Sequence, residues 1–141
     1  MKLYLKTKEE TDEHFASDPQ LIMGILREGK PSEVPAKIGF NPLVVHHFVY
    51  RFENPSQEDY ANFSENDKQT ARAIVHNFLE FKEGIEGLVV YESPIIHDSP
   101  AIVAALDSIF KLDLHLKVRE SLSFNEGLYR LVYRTAVLYG F

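Results

Sequence analysis

Apolar and polar positions alternate over residues 1–6, with Leu3 and Leu5 on one side, and this period of two predicts a short strand. Thr7 followed by Glu10 is a capping-box pattern, which predicts a helix to about residue 16, closed by Asp18-Pro19. Residues 21–26 form an apolar run around Gly24 and read as a buried strand. Residues 29–40 carry Pro31, Pro35 and Gly39 and read as a surface loop. The densest β-branched and aromatic stretch is 43–52, with Val44, Val45, Phe48, Val49 and Tyr50, so the strongest strand is expected there. Asn54-Pro55-Ser56 breaks it, and residues 57–63 connect onward.

The period then changes. Ser64 with Asp67 opens a long helix whose stripe is Ala71, Ile74, Val75, Phe78 and Leu79, ended by Glu83-Gly84. Residues 88–91 are wholly apolar, as expected of a strand covered on both faces. After a loop, Ser99 is read as the cap of a helix with Pro100 at its first position, running through Ile102, Val103, Leu106, Ile109 and Phe110. A last helix over 125–139 puts Leu128, Leu131, Val132 and Thr135 on one face. Strand and helix alternate from residue 43 onward. The expectation is an α/β fold, a mainly parallel central sheet flanked by helices, in one domain spanning residues 1–141. Ligands of such sheets sit beyond the carboxyl ends of strands, so the segment leaving Tyr91 is the first candidate for chemistry.

Composition narrows that chemistry. The chain has 15 Lys and Arg against 21 Asp and Glu, a net charge of −6, which speaks against nucleic acid or an anionic membrane as partner. It has no cysteine, which excludes disulfides, zinc fingers, iron–sulfur clusters and thiol nucleophiles. No apolar stretch reaches the ~20 residues of a membrane span, and residues 1–10 lack a signal-peptide pattern. A cytoplasmic location is therefore expected.

Residues 88–106, from Leu88-Val89-Val90-Tyr91-Glu92-Ser93-Pro94-Ile95-Ile96-His97-Asp98-Ser99-Pro100 into an alanine-rich helix, resemble the signature segment of the small cysteine-dependent, dual-specificity-like protein phosphatases of compact prokaryotic type. That family sets an apolar strand before His-Cys, then five residues, then Arg-Ser or Arg-Thr and an alanine-rich helix. The resemblance runs from about Leu21 to the end, including Asn125 to Arg130 and Tyr133-Arg134, and is strongest over residues 87–111. It implies a dual-specificity-phosphatase-like fold. Against its pattern, Tyr91 stands at the histidine, Glu92 at the nucleophilic cysteine and Asp98 at the phosphate-clamping arginine, while Ser99 matches. Pro94 and Ile95 replace small loop residues, and His47-Phe48-Val49-Tyr50 offers no general-acid carboxylate.

The resemblance together with these departures implies a pseudophosphatase: a phosphatase-like scaffold without catalytic residues, serving as a binding or regulatory module for a protein or small molecule. With Glu92 and Asp98 ionised, a phosphate would meet like charge at about 4 kcal/mol per unit charge at ~4 Å and an effective dielectric near 20. The helix N-terminus returns only about half a positive charge. Glu92 or Asp98 is instead expected to satisfy the helix N-terminal N–H groups and fill the anion site from within. Two alternatives remain: a hydrolase using Glu92, Asp98 and His97 with metal or water, and a purely structural or oligomeric protein. No cofactor and no metal is expected.

Other constellations have plainer readings. His46 and His47, neighbours on a strand, point to opposite faces and read as one exposed and one buried histidine. His97-Asp98-Ser99 are too close in sequence to form a hydrolase triad. The acidic run Glu9, Glu10, Asp12 and Glu13 reads as a solvated face. Tyr139-Gly140-Phe141 is expected to dock on its own domain, although an apolar tail also suits self-association.

Overall fold

The computed structural model describes residues 1–14, 16–28, 42–92, 97–115 and 117–141. The strands β1 (Lys2–Thr7), β2 (Gln20–Arg27), β3 (Val44–Phe52) and β4 (Gly87–Glu92) form one sheet in the order β1-β4-β2-β3. Every neighbouring pair is parallel. The helices are α1 (Lys8–Asp12), α2 (Glu65–Phe81), α3 (Asp98–Phe110), α4 (Val118–Ser121) and α5 (Glu126–Leu138). The chain is thus α/β, a parallel sheet flanked by helices. The predicted loop over 29–40 lies outside the described residues.

Strand alternation divides the buried side chains between two faces. Leu21, Met23 and Ile25 of β2 and Leu88 and Val90 of β4 join Ile74 and Phe78 of α2, Ile102 and Leu106 of α3, and Leu128 and Leu131 of α5 in the main core. The alternate positions Ile22, Val89 and Tyr91 form a second, smaller cluster with Tyr4 and Val44 packed against it. Every residue of α3 from Asp98 to Leu106 is buried, so this helix is apolar nearly all round its first half.

Local departures have local causes. Thr7 caps α1 with the reciprocal Glu10 bond, as its spacing predicts, but the helix stops at Asp12 and not near residue 16. Only Thr11 is buried on it, and a helix this short gains little without an apolar stripe to pack. Ser64 accepts from the Asp67 N–H at 3.1 Å, while the buried Asp67 carboxylate turns back to the N–H groups of Glu53 and Asn54 at 2.7 and 3.0 Å. The end of β3 is thereby tied to the start of α2. Leu79, assigned to the α2 stripe, is exposed. The strand with the strongest sequence signal, β3, lies at a sheet edge with Val45 and Val49 exposed, because β-branched and aromatic density marks a fit to a pleated, half-buried surface and not a central place in the sheet.

Asn125 caps α5 by accepting the Leu128 N–H at 3.2 Å. The tail folds back: the Phe141 N–H donates to Ala136 O at 2.9 Å, and its ring meets Phe110 edge-on at 6.0 Å. No helix among the described residues is long and apolar enough to cross a membrane.

Candidate functional site at the ends of β2 and β4

From β1 to β3 the chain steps across the sheet in one direction, then reverses to insert β4 beside β2. The carboxyl ends of β4 and β2 therefore flank a topological switch point, the place where α/β sheets hold ligands. Glu92 ends β4, Arg27 ends β2, and α3 begins beside them at Asp98.

Glu92 points toward the start of α3 and is 6% exposed. Its Oε1 accepts three hydrogen bonds: from the His97 N–H at 2.6 Å, the Ser99 N–H at 2.8 Å and the Ser99 hydroxyl at 2.8 Å. The first N–H groups of a helix have no partner within the helix, and here a carboxylate from the preceding strand takes them. Burial pushes the Glu92 carboxyl above its ordinary value; the Ser99 N–H pulls it back, and the nearby Asp98 charge pushes it up further.

Ser99 is consequently not the cap it was read as. The helix starts two residues earlier, at Asp98, His97 occupies the cap position without a side-chain bond, and Ser99 and Pro100 lie in the first turn. Proline is tolerated there because an N–H at that position has no partner in the helix. The Ser99 hydroxyl serves as a donor to Glu92, a role available only once strand and helix are folded together.

Asp98 has its own partners. Arg27 grips it with both arms of the guanidinium, Nε to Oδ2 at 2.8 Å and Nη2 to Oδ1 at 2.9 Å. Asn125 Nδ2 donates to Oδ1 at 3.1 Å and to Pro55 O at 2.8 Å. The Asp98 side chain is 2% exposed and that of Arg27 37%. A planar fork on a carboxylate is the strong form of this pair. The repulsion expected from two acids is therefore reduced: Asp98 is paired with Arg27, whose charge also acts on Glu92, while Glu92 itself makes no salt bridge among the described residues.

Tyr91 faces the opposite side of β4. It is fully buried, and its hydroxyl lies 2.8 Å from His47 Nε2 on β3, two strands away. The ring can cross β2 because the intervening residue is Gly24, where a Cβ would stand 2.4 Å from Tyr91 Cζ and Oη. Burial raises the Tyr91 hydroxyl and, with help from His46, lowers His47.

Known proteins give no guide to this arrangement. No family model, curated protein or solved structure matches the chain. Its chemistry must be read from the residues themselves.

Of the segment singled out from the sequence, Tyr91 and Glu92 diverge to opposite faces, while Glu92, His97, Asp98 and Ser99 meet at the start of α3. Ser93, Pro94, Ile95 and Ile96 lie outside the described residues. The His97 ring is half exposed, with Nδ1 at 3.8 Å from Asp98 Oδ1, so no proton relay joins His97, Asp98 and Ser99. Among the described residues no group of three or more His, Asp or Glu is placed to hold a metal ion. His46 is exposed beside Phe48 and Phe81, while His47 is half-buried against Tyr91, the division that strand alternation predicts.

Sequence reasoning missed Arg27, Asn125 and Gly24. Gly24 inside an apolar strand was the one available signal, since such a glycine often marks close approach of another group.

Proposed function

We propose that this chain is a phosphatase-like protein without catalytic activity, working in the cytoplasm as a binding or regulatory module. The observation that carries the reading is the three-donor capture of Glu92 Oε1 by His97 and Ser99. A carboxylate built into the chain stands where an anion at a helix N-terminus would otherwise bind. The succession of β4 and α3 at a switch point supports the phosphatase-like part of the reading, alongside the residue spacing from Tyr91 to Ser99. The engagement of both acids supports the non-catalytic part. Glu92 is held by backbone donors and Asp98 by Arg27 and Asn125, so neither is presented to a substrate as base or nucleophile. The same engagement weighs against a hydrolase using Glu92, Asp98 and His97 with metal or water. A purely structural role has no observation that favours it.

The test is turnover of p-nitrophenyl phosphate by the purified protein, alone and with Mg²⁺, Mn²⁺ or Zn²⁺. The reading expects none above buffer. Turnover that needs a metal and disappears in Glu92→Gln would establish the carboxylate hydrolase instead.

A further inference from the structure

Among the described residues, the three most exposed large apolar side chains are consecutive at the end of α5: Val137 at 52%, Leu138 at 56% and Tyr139 at 51%. Tyr133, one turn earlier, is also exposed. Tyr139 and Phe141 are engaged with their own domain, through Arg72 over the Tyr139 ring and Phe110 edge-on to Phe141. Tyr133, Val137 and Leu138 remain as an outer apolar ridge. Tyr133 is fixed in advance: its ring stacks on Tyr129 at 6.0 Å, and the Tyr129 hydroxyl shares a 2.9 Å hydrogen bond with Ser108. Such a tyrosine offers contact area at small entropic cost and is a frequent anchor of protein interfaces.

Beside the ridge, a groove of about 370 Å³ separates Tyr133, Arg134 and Val137 from Glu58, Asp59 and Tyr60. Arg130 fixes its far wall by donating to Glu58 O, from Nε at 3.3 Å and from Nη2 at 3.1 Å. The carboxylates of Glu58 and Asp59 and the guanidinium of Arg134 make no ion pair among the described residues.

We propose that this surface is a two-fold interface between two copies of the chain. A face built for a partner of one charge carries the opposite charge alone. Here unpaired charges of both signs flank one apolar ridge, which is what a surface that meets itself requires. With α5 antiparallel to its copy and the axis beside Tyr133, the two Tyr133 rings meet at the centre. Each Arg134 then lies over Glu58 and Asp59 of the other copy, with Val137 packed on either side. The net charge of −6 opposes contact through most faces, but residues 127–138 carry two arginines and no acid. A patch little wider than one helix falls at the low end of specific interfaces, and a dissociation constant in the micromolar range is expected. The interface leaves out Glu92 and Asp98, so it stands or falls separately from the reading of that site.

Sedimentation velocity of the full chain over about 1–300 µM tests the proposal. The weight-average mass should climb from the 16.2 kDa of one chain toward twice that value and no further. Tyr133→Ala and Arg134→Glu should each weaken self-association about tenfold or more, as should Glu58→Arg combined with Asp59→Arg. All of these positions are on the surface, and each variant should melt within about 2 °C of the parent, which separates lost association from lost folding. The deciding step mixes the Arg134→Glu variant with the Glu58→Arg, Asp59→Arg variant. Neither associates alone, but the mixture should form a dimer within about threefold of the parent affinity, because opposite charges again face each other across the axis. A parent that stays at the mass of one chain at every concentration would overturn the proposal and leave the ridge to a different protein. Self-association unchanged by Tyr133→Ala and Arg134→Glu, or no dimer in the mixture, would overturn it as well.

Discussion

The ends of β2 and β4 and the packing of α2 against α5 use similar polar groups to opposite effect. At the strand ends donors from four residues have internal acceptors: His97 and Ser99 give theirs to Glu92, and Arg27 and Asn125 give theirs to Asp98. Between α2 and α5, the Thr135 hydroxyl has no partner, and Arg72 meets only an aromatic face among the described residues. The position that topology marks for a ligand is thus closed from within, while a position that topology does not mark keeps a buried hydroxyl without a partner. The place a fold offers for binding and the place where polar groups lack partners are separate properties. The second has to be read from individual atoms.

The largest expected effect breaks the closed end. Glu92→Ala removes the acceptor of two N–H groups and a hydroxyl, each worth about 1–3 kcal/mol when buried and unsatisfied, and water entry offsets part of that. A loss of about 3 kcal/mol in urea unfolding is expected. Glu92→Gln keeps a carbonyl oxygen in the same place and should stay within about 1 kcal/mol of the parent. If the two variants fall equally, the accepting oxygen is not what holds the cluster.

Arg27→Met should come next. Removing one partner of a buried pair costs about 3–5 kcal/mol, but Arg27 is partly solvated, and about 2 kcal/mol is the expected loss once screening is allowed for. The double variant Arg27→Met with Asp98→Asn should recover part of it, because no buried charge is then left alone. A double variant that falls by the full sum of the two single losses would contradict the pairing.

On the other face of β4, Gly24→Ala drives a methyl into the Tyr91 ring and should cost about 1–3 kcal/mol. Tyr91→Leu in the same chain should relieve most of the clash. Additive losses in the double variant would place the strain elsewhere.

The smallest effect is the pH dependence of the closed end. Because the folded Glu92 carboxyl lies above its ordinary value of 4.5, the folded state binds the proton more tightly than the unfolded state does. Its contribution to stability is then fully present below 4.5 and is lost as pH rises through the raised folded value. Relative to Glu92→Gln, the parent should gain stability as pH falls across that window. A relative gain on raising the pH would reverse the sign and show a carboxylate stabilised by its donors beyond the cost of burial.

Much of the fold is legible because it follows from neighbours in sequence. The capping pair Thr7 and Glu10, the apolar run ending at Tyr91, the stripe from Ala71 to Phe78 and the last helix from about residue 125 all appear where their spacing puts them. That Glu92 would fill the helix N-terminus is also legible, since it lies only six positions before Asp98. The partner of Asp98 is not, because Arg27 lies 71 positions away and meets it only after β2 and β4 pair. Tyr91 and His47, 44 positions apart, meet across a strand for the same reason. Ser99 was misread because serine before proline at a helix start has the form of a cap, and only the arrival of Glu92 turns its hydroxyl into a donor. Thr135 reads as one more residue of a buried stripe, and nothing local tells that its hydroxyl would lack a partner.

The most direct test of the closed end is thermal unfolding in millimolar tungstate, comparing the parent with Glu92→Ala. If Glu92 fills the anion site, the parent shows no shift. In Glu92→Ala the N–H groups of His97 and Ser99 and the Ser99 hydroxyl are vacated, and tungstate should bind there and restore several degrees of the lost Tm. A tungstate shift in the parent as large as in Glu92→Ala, or none in either, would contradict the account.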